Sequence, residues 1–318
     1  MDAEAFAAAT EPYRRQLQVH CYRMLGSVDE AEDLLQETLL RAWRARDSFE
    51  GRSLLRTWLY RIATNACLNV LERAPRRVLP QDVAAPITAS TDESEARVSP
   101  PWAREIPWLQ PYPDRLLDPE EEVVRRETIE LTFLAALQHL PPRQRAILIL
   151  RDLLDWSAKE TAALLETSAA SVNSAHQRAR ATMRAAQSGR IESTPDADRA
   201  ALQRFMEAWE RADSDGLIRL LREDARWAMP PAPLWFDGRA AIRRLYTLYP
   251  ISFSGQFRML ATAANRQPAA AAYLRSRGDD AFRLVAVHVL RVVGGAIVEV
   301  TTFHADMCGA FGLPAIFE

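Results

Sequence analysis

Residues 155–184 read DWSAKETAALLETSAASVNSAHQRARATMR, and this stretch divides into two short helices. Apolar spacing places the first from about Ala158 to Leu165, with Ala162, Leu164 and Leu165 turned inward. A polar turn of Glu166, Thr167 and Ser168 follows, and the second helix begins near Ala169. Two helices joined this way form a helix-turn-helix, whose second helix lies in the major groove with its first turns at base edges. The charge agrees: from Ala169 to Arg190 the chain carries Arg178, Arg180, Arg184 and Arg190 and no acid. Val172, Ala175, Ala179 and Met183 share the inner face, which leaves Ser171, Asn173, Ser174, Gln177, Arg178 and Arg180 outward. Hydroxyl and amide groups pair with base edges, and arginine pairs with guanine or phosphate. The competing reading is an amphipathic helix with a solvated basic face.

Working outward, residues 1–77 also read as all helical. Leu17, Tyr22, Met24 and Leu25 recur at helical spacing, followed by Leu34, Leu35, Leu39 and Trp43. A third helix starts at about Ser53, with Leu55, Leu59, Ile62, Ala66 and Val70 on one stripe, and Pro75 ends it. In the middle helix, DLLQETLLRAW (33–43) sets Asp33, Gln36 and Glu37 at i, i+3 and i+4, hence on one face. Such a face repels phosphate, so it fits solvent or a protein partner rather than DNA.

The whole chain has 318 residues, a formal net charge of −2, 48% hydrophobic and 26% charged residues. That is an ordinary soluble composition with length for about two or three domains. A near-neutral total does not exclude nucleic acid, because clustering of the basic residues is what counts. Cys21, Cys67 and Cys308 are far apart and form no CxxC pair. They read as small buried hydrophobes in a reducing compartment, with no metal and no cofactor expected. The N-terminus MDAEAFAAATEPYRR lacks the pattern of a secretory signal, and no stretch approaches the roughly 18 apolar residues of a membrane span. The expectation is a cytoplasmic protein without membrane contact.

Residues 78–126 change texture: eight prolines from Pro80 to Pro119 and the acidic TDESE (91–95) predict a linker. Within it, WLQPYPD (108–114) has aromatic residues unusual for a plain tether. Helix resumes at about Pro119, so a second helical domain spans 127–188, and a polar joint covers 189–197. From 198 to 318 the pattern is amphipathic helix over 199–222, then strand-like runs from Phe257. Gly294-Gly295 between the last two runs signals a hairpin. The fold class expected is therefore multidomain: two all-α helical domains and a C-terminal α+β domain.

At this point the sequence resembles a known family. DEAEDLLQETLLRAWRARDSF with RTWLYRIATNACLNVLER resembles the second region of bacterial extracytoplasmic-function sigma factors, and DLLDWSAKETAALLETSAASVNSAHQRARATMR resembles their fourth. The resemblance implies that Asp33, Gln36 and Glu37 dock on the clamp helices of the largest catalytic subunit of RNA polymerase. It implies that 1–77 reads and melts the −10 promoter element and that 127–188 reads the −35 element. The loop Phe49-Glu50-Gly51-Arg52-Ser53 would capture a flipped base, by stacking and edge contacts on single-stranded DNA. Glu50, Arg52, Ser53, Arg56, Tyr60, Arg61, Asn65 and Asn69 are the −10 candidates, the last five taken to line the exposed side of the third helix, with Trp58 read as core. Thr64 and Asn69, and Asn173 and Ala175, stand where relatives often carry other, mostly charged, residues, so promoter choice is not transferable.

The last domain resembles a SnoaL-like (NTF2-like) cone. Its candidate pocket groups are Trp227, His288 and His304, with Asp224 and Asp306 beside them. General acid–base work needs two converging groups, and no spacing here demands a pair, so the expectation is not an enzyme but a module acting in cis. A small ligand and an anti-sigma protein remain open as further partners. The alternative reading is a helix-turn-helix regulator that binds duplex DNA without polymerase and senses a ligand through its last domain.

Overall fold

The computed structural model describes residues 2–49, 54–91, 103, 105–117, 129–186, 194–248 and 255–317. Its contacts divide the chain into two units. One joins Met1–Arg77 with Arg115–Ser188, and the other joins Val78–Asp114 with Gly189–Glu318.

In the first unit, α2 (Arg14–Leu25), α3 (Val28–Ala45) and α4 (Leu55–Leu71) pack together, and α1 (Ala3–Thr10) sets Phe6 edge-on to Trp43 of α3. Gly26, at φ 72°, ends α2 in the left-handed region that glycine enters without penalty. Ser27 then caps α3, its Oγ accepting from Glu30 N at 3.2 Å. The buried stripe of α3 is Val28, Ala31, Leu35, Thr38 and Ala42, a three-four spacing, with Leu34 and Leu39 half-buried on its flanks. On α4 the stripe is turned from the expected one: Leu59, Tyr60, Ala63, Thr64, Ala66 and Cys67 are buried, while Leu55, Ile62 and Val70 are only half-buried. A polar pair lies on that buried stripe. His20 on α2 is buried, and its Nε2 meets Thr64 Oγ1 at 2.9 Å. Burial pushes this histidine down to about 3, so it is neutral.

The second half of that unit holds α5 (Leu131–Gln138), α6 (Pro142–Leu148), α7 (Ala158–Leu164) and α8 (Ala169–Ala186). A π-helical turn, Ile149–Leu153, extends α6. Ser157 and Glu160 form a reciprocal capping box at the start of α7. Glu166 closes the helix with φ 52°, and Ser168 Oγ accepts from Ser171 N at 3.1 Å to open α8. Arg145 of α6 is 2% exposed. Its guanidinium donates to Gln138 Oε1 (2.7 Å), Gln138 O (3.0 Å), Leu140 O (3.2 Å) and Met24 O of α2. It thereby pins α2 to the α5–α6 turn.

The second unit is a seven-stranded sheet covered by helices α9 (Pro195–Glu210), α10 (Ser214–Leu220) and α11 (Arg239–Leu248). Strands β1 (Leu221–Ala228), β2 (Trp235–Asp237), β3 (Gln256–Ala264), β4 (Gln267–Arg275), β5 (Phe282–Val293) and β6 (Ala296–His304) run in the order β2-β1-β6-β5-β4-β3. The short β7 (Ile316–Phe317) pairs with β5. Among these described strands β1 and β6 pair in parallel and the other pairs are antiparallel. Gly294 and Gly295, at φ 58° and 79°, make the β5–β6 hairpin turn.

Three expectations are corrected. Residues 199–222 are not one helix: Ala212, at φ 52°, breaks it, Asp213 caps α10, and Leu221 already starts β1. Strands β1 and β2 and helix α11 lie where no periodicity was assigned. The third concerns the linker, of which 78–91, 103 and 105–114 fold with the second unit; the helix expected from Pro119 falls outside the described residues until 129.

That segment is held at two places. Ile87 pairs with β2, donating to Trp235 O at 2.9 Å and accepting from Asp237 N at 3.1 Å. Further on, the β3–β4 turn uses Asn265 and Arg266, both at φ 57°, a conformation asparagine tolerates and arginine rarely adopts. Tyr112 and Asp114 hold it: Asn265 N donates to Tyr112 O, Tyr112 N to Asn265 Oδ1, and Arg266 N to Asp114 Oδ1, each at 2.8 Å. Trp108, Leu109 and Tyr112 are buried, so WLQPYPD is core to this unit rather than tether.

Candidate functional site

The acidic face of α3 is open. Asp33 and Gln36 are exposed, and Glu37 pairs with Arg41 at 2.6 Å while staying 40% exposed. Leu40 follows one turn on and is 41% exposed, so an apolar side chain continues the same face. Surface pairs such as Glu37–Arg41 add little stability. Their exposure leaves both charges available to a partner.

On α4, Arg61, Asn65 and Asn69 stand exposed at four-residue intervals, forming one strip. Arg56 is half-buried, its guanidinium 5.3 Å from the Tyr60 ring centre. Tyr60 itself corrects the expected exposed side: it is 1% exposed, edge-on to His20 (5.1 Å) and to Trp156 (6.0 Å). It lies one turn before Thr64 and shares the inward stripe that meets His20. Trp58 is half-buried against Phe49, ring centres 5.0 Å apart. Glu50, Arg52 and Ser53 lie outside the described residues.

Helix α8 buries Val172, Ala175, Ala179 and Met183 and exposes Ser171, Asn173, Ser174, Gln177, Arg178 and Arg180. Two contacts organise this surface. Arg178 Nη1 donates to Ser174 Oγ at 2.7 Å. Asp152, at the end of the π-helical turn, sits 2.6 Å from His176 Nε2 and 3.6 Å from Arg180 Nε. Asp152 therefore tempers Arg180, while Arg178 stands exposed with its guanidinium on the Ser174 hydroxyl. The sequence held no signal for this, since 24 residues separate Asp152 from His176.

In the second unit only part of the expected pocket set converges. Trp227 and His288 are 1% and 3% exposed and share one hydroxyl: Trp227 Nε1 donates to Thr302 Oγ1 at 2.8 Å, and His288 Nδ1 lies 2.8 Å from the same atom. Burial pushes His288 down to about 3. Phe205 and Trp209 from α9 flank it, Trp209 stacked at 5.0 Å. Tyr246 of α11 closes on both tryptophans. His304 is corrected: at the sheet rim it is exposed and pairs with Asp306 at 3.0 Å. Asp224 is also exposed and pairs with Arg222, in a run of three exposed residues where the register of β1 shifts against β6. Phe205, Trp209, Tyr246 and Thr302 went unrecognised, since only the fold gathers them around the histidine. Among the described residues no three His, Cys, Asp or Glu side chains cluster as a metal site, and Cys21, Cys67 and Cys308 are buried free thiols. No described helix is long and apolar enough to cross a membrane.

Comparison with known proteins places these surfaces in a family. Residues 10–77 match the model of Sigma-70 region 2, residues 130–183 that of Sigma-70 region 4, and residues 202–300 that of the SnoaL-like domain. The ECF RNA polymerase sigma factor SigG of Mycobacterium tuberculosis is 44% identical over 319 residues, covering 97% of this chain and 84% of that protein. SigW of Bacillus subtilis, also an ECF RNA polymerase sigma factor, is 31% identical over 58% of this chain and 89% of its own length. The crystal structure of the extracytoplasmic function sigma factor SigJ of Mycobacterium tuberculosis shares the fold at 18% identity, with a TM-score of 0.61 over 98% of this chain and 100% of that one. A helical pair of regions in sigma order, an acid-free recognition helix and a C-terminal SnoaL-like sheet thus coincide in one polypeptide, and the chain belongs to the ECF RNA polymerase sigma factors.

Proposed function

We propose that this chain directs core RNA polymerase to particular promoters from the cytoplasm, and that its second unit modulates this in cis without turnover. Asp33, Gln36 and Glu37 dock on the clamp helices of the largest catalytic subunit. The α4 strip of Arg61, Asn65 and Asn69, with Arg56 and the loop to Ser53, meets the −10 element. Ser171, Asn173, Ser174, Gln177, Arg178 and Arg180 meet the −35 element. One observation carries the reading: two exposed faces in one unit have opposite character, acid and amide on α3 and acid-free with arginine on α8. A DNA-binding regulator acting alone has no use for the first face. Co-elution with bacterial core polymerase tests it, using the full chain and a variant with Asp33, Gln36 and Glu37 all changed to Ala. Binding by the wild type and its loss in the variant support the assignment. A chain that grips duplex DNA but never polymerase favours the polymerase-independent regulator instead.

Control in cis rests on connectivity. The chain enters the second unit after Arg77, returns before Arg115, and enters it again after Ser188. The segment between the two promoter-reading regions is thereby part of the second unit, and anything that loosens its hold lengthens their tether. Asn265→Gly keeps the left-handed turn but removes the acceptor for Tyr112 N. It should change output from a cognate promoter several-fold while polymerase binding persists; unchanged output removes cis control.

A further inference from the structure

Helix α8 carries no acidic residue of its own from Ala169 to Ala186, yet the fold lays one on it. Asp152 arrives from the π-helical turn that extends α6, where Leu154 N donates to Ile149 O at 3.1 Å. Single π-turns inside helices recur at functional sites. The Asp152 carboxylate serves two side chains that lie one helical turn apart. Its Oδ1 accepts from His176 Nε2 at 2.6 Å, and its Oδ2 lies 3.6 Å from Arg180 Nε. The His176 side chain is 13% exposed and that of Arg180 51%, so histidine is the fixed end of this chain of contacts and arginine the free end. The Asp152–Arg180 distance is that of an ion pair and longer than a hydrogen bond. So exposed a pair adds little stability, and an acid beside a DNA-facing arginine weakens its grip on phosphate. Neither stability nor bulk affinity accounts for Asp152 here. Orientation does.

We propose that Asp152 is a positioning residue for base recognition: anchored by His176, it holds Arg180 by the Nε edge, so that the two Nη groups read a guanine of the bound duplex. The guanidinium is a rigid fork with two usable edges, one formed by Nε and one Nη, the other by the two Nη nitrogens. With Nε turned to Asp152, the second edge points away from the carboxylate. The O6 and N7 of guanine present the acceptor pair that such an edge matches in the major groove. The neighbouring negative charge disfavours phosphate as the alternative partner, so Asp152 trades affinity for selectivity. This deepens the reading of α8 as the −35 helix and rests on it, yet its test also runs on the chain without polymerase.

The experiment selects from a randomised duplex DNA library with the full chain, alone and in complex with bacterial core polymerase, and sequences the bound fraction. Wild type should enrich a motif with a guanine that Arg180→Lys no longer selects, since lysine keeps the charge without the fork. Asp152→Asn leaves one acceptor oxygen where two are used. It should cut the preference for that same guanine about tenfold, within what one bidentate contact provides, and leave the other motif positions unchanged. The double variant should lose no more than either single one. On a duplex of equal length without the motif, Asp152→Asn should bind up to about threefold more tightly, because a repelling charge is gone; a merely structural aspartate predicts weaker binding. A thermal melt establishes that each variant is folded. A chain that never binds core polymerase, but whose own motif shows this guanine dependence, upholds the Asp152 assignment and counts against the polymerase reading. An absent motif in both forms, a motif indifferent to Arg180→Lys, or an Asp152→Asn motif that is unchanged or uniformly weakened overturns the proposal.

Discussion

Replacing Arg145 with Met deletes a cation that serves four buried carbonyl-type acceptors, on Met24, Gln138 and Leu140. Methionine fills similar length without charge, so the change isolates the hydrogen bonds from the volume. Each acceptor stripped of its donor in the interior costs about 1–2 kcal/mol, roughly 4–8 kcal/mol together. The cation itself resists burial, which is why Arg145 is pushed down to about 10 from 12.5. At about 1.4 kcal/mol per pH unit, its removal returns roughly 3 kcal/mol. The net expectation is a loss of about 1–5 kcal/mol, or about 2–20 °C in the first unit's melting temperature for a body of this size. Hydrogen exchange by mass spectrometry localises it: amides of α2, α5 and α6 should exchange faster while β3 to β6 stay protected. Arg145→Lys, with a compact head in place of the fork, should recover only part of the loss. A melting shift under about 2 °C, or faster exchange spread equally over both units, refutes the pin.

Leu109→Ala should destabilise the second unit by about 2–5 kcal/mol, because Leu109 is fully buried; a plain tether would show no change in urea unfolding. Both His20 and His288 are held near 3 when folded and protonate near 6.5 when unfolded. Between those values the unfolded chain binds more protons, so stability is complete above about pH 6.5 and falls as pH drops toward 3. The slope is about 1.4 kcal/mol per pH unit for each histidine, and His288→Phe should flatten it for the second unit in denaturant titrations from pH 7 to 4. Ser157→Ala removes the cap of α7 and should cost the first unit about 1 kcal/mol, read by thermal melting. The Ser157 hydroxyl and amide also hold Glu160 below the usual carboxylate range. The capping box should therefore weaken as pH falls through that lowered range.

The helix-turn-helix was legible because its signals are local. Apolar spacing, a capping serine with glutamate three residues on, and a polar turn lie within thirty residues, and Ser171 to Arg180 face outward as periodicity requires. The α3 face was legible for the same reason, since i, i+3 and i+4 geometry needs no partner. Gly294-Gly295 marked its hairpin because left-handed backbone is written in glycine, whereas Asn265-Arg266 makes an equivalent turn that the residue types hide. On α4 the periodicity gave a helix but set Tyr60 outward. The inner face meets His20, 44 residues from its Thr64 partner.

Other features depended on tertiary structure. Proline and acid composition predicted a linker, yet Ile87 and Tyr112 found a sheet edge and a left-handed turn more than a hundred residues away. Composition reports how a segment behaves alone, not what surface it will meet. The same holds for His288: alternation in AVHVL is silent about its face until Phe205, Trp209, Trp227 and Thr302 are assembled around it. Sequence by itself determined the elements and surfaces set by neighbours within a helical turn. Tertiary structure decided the burial of polar groups, because the partner that satisfies each one arrives from a distant part of the chain.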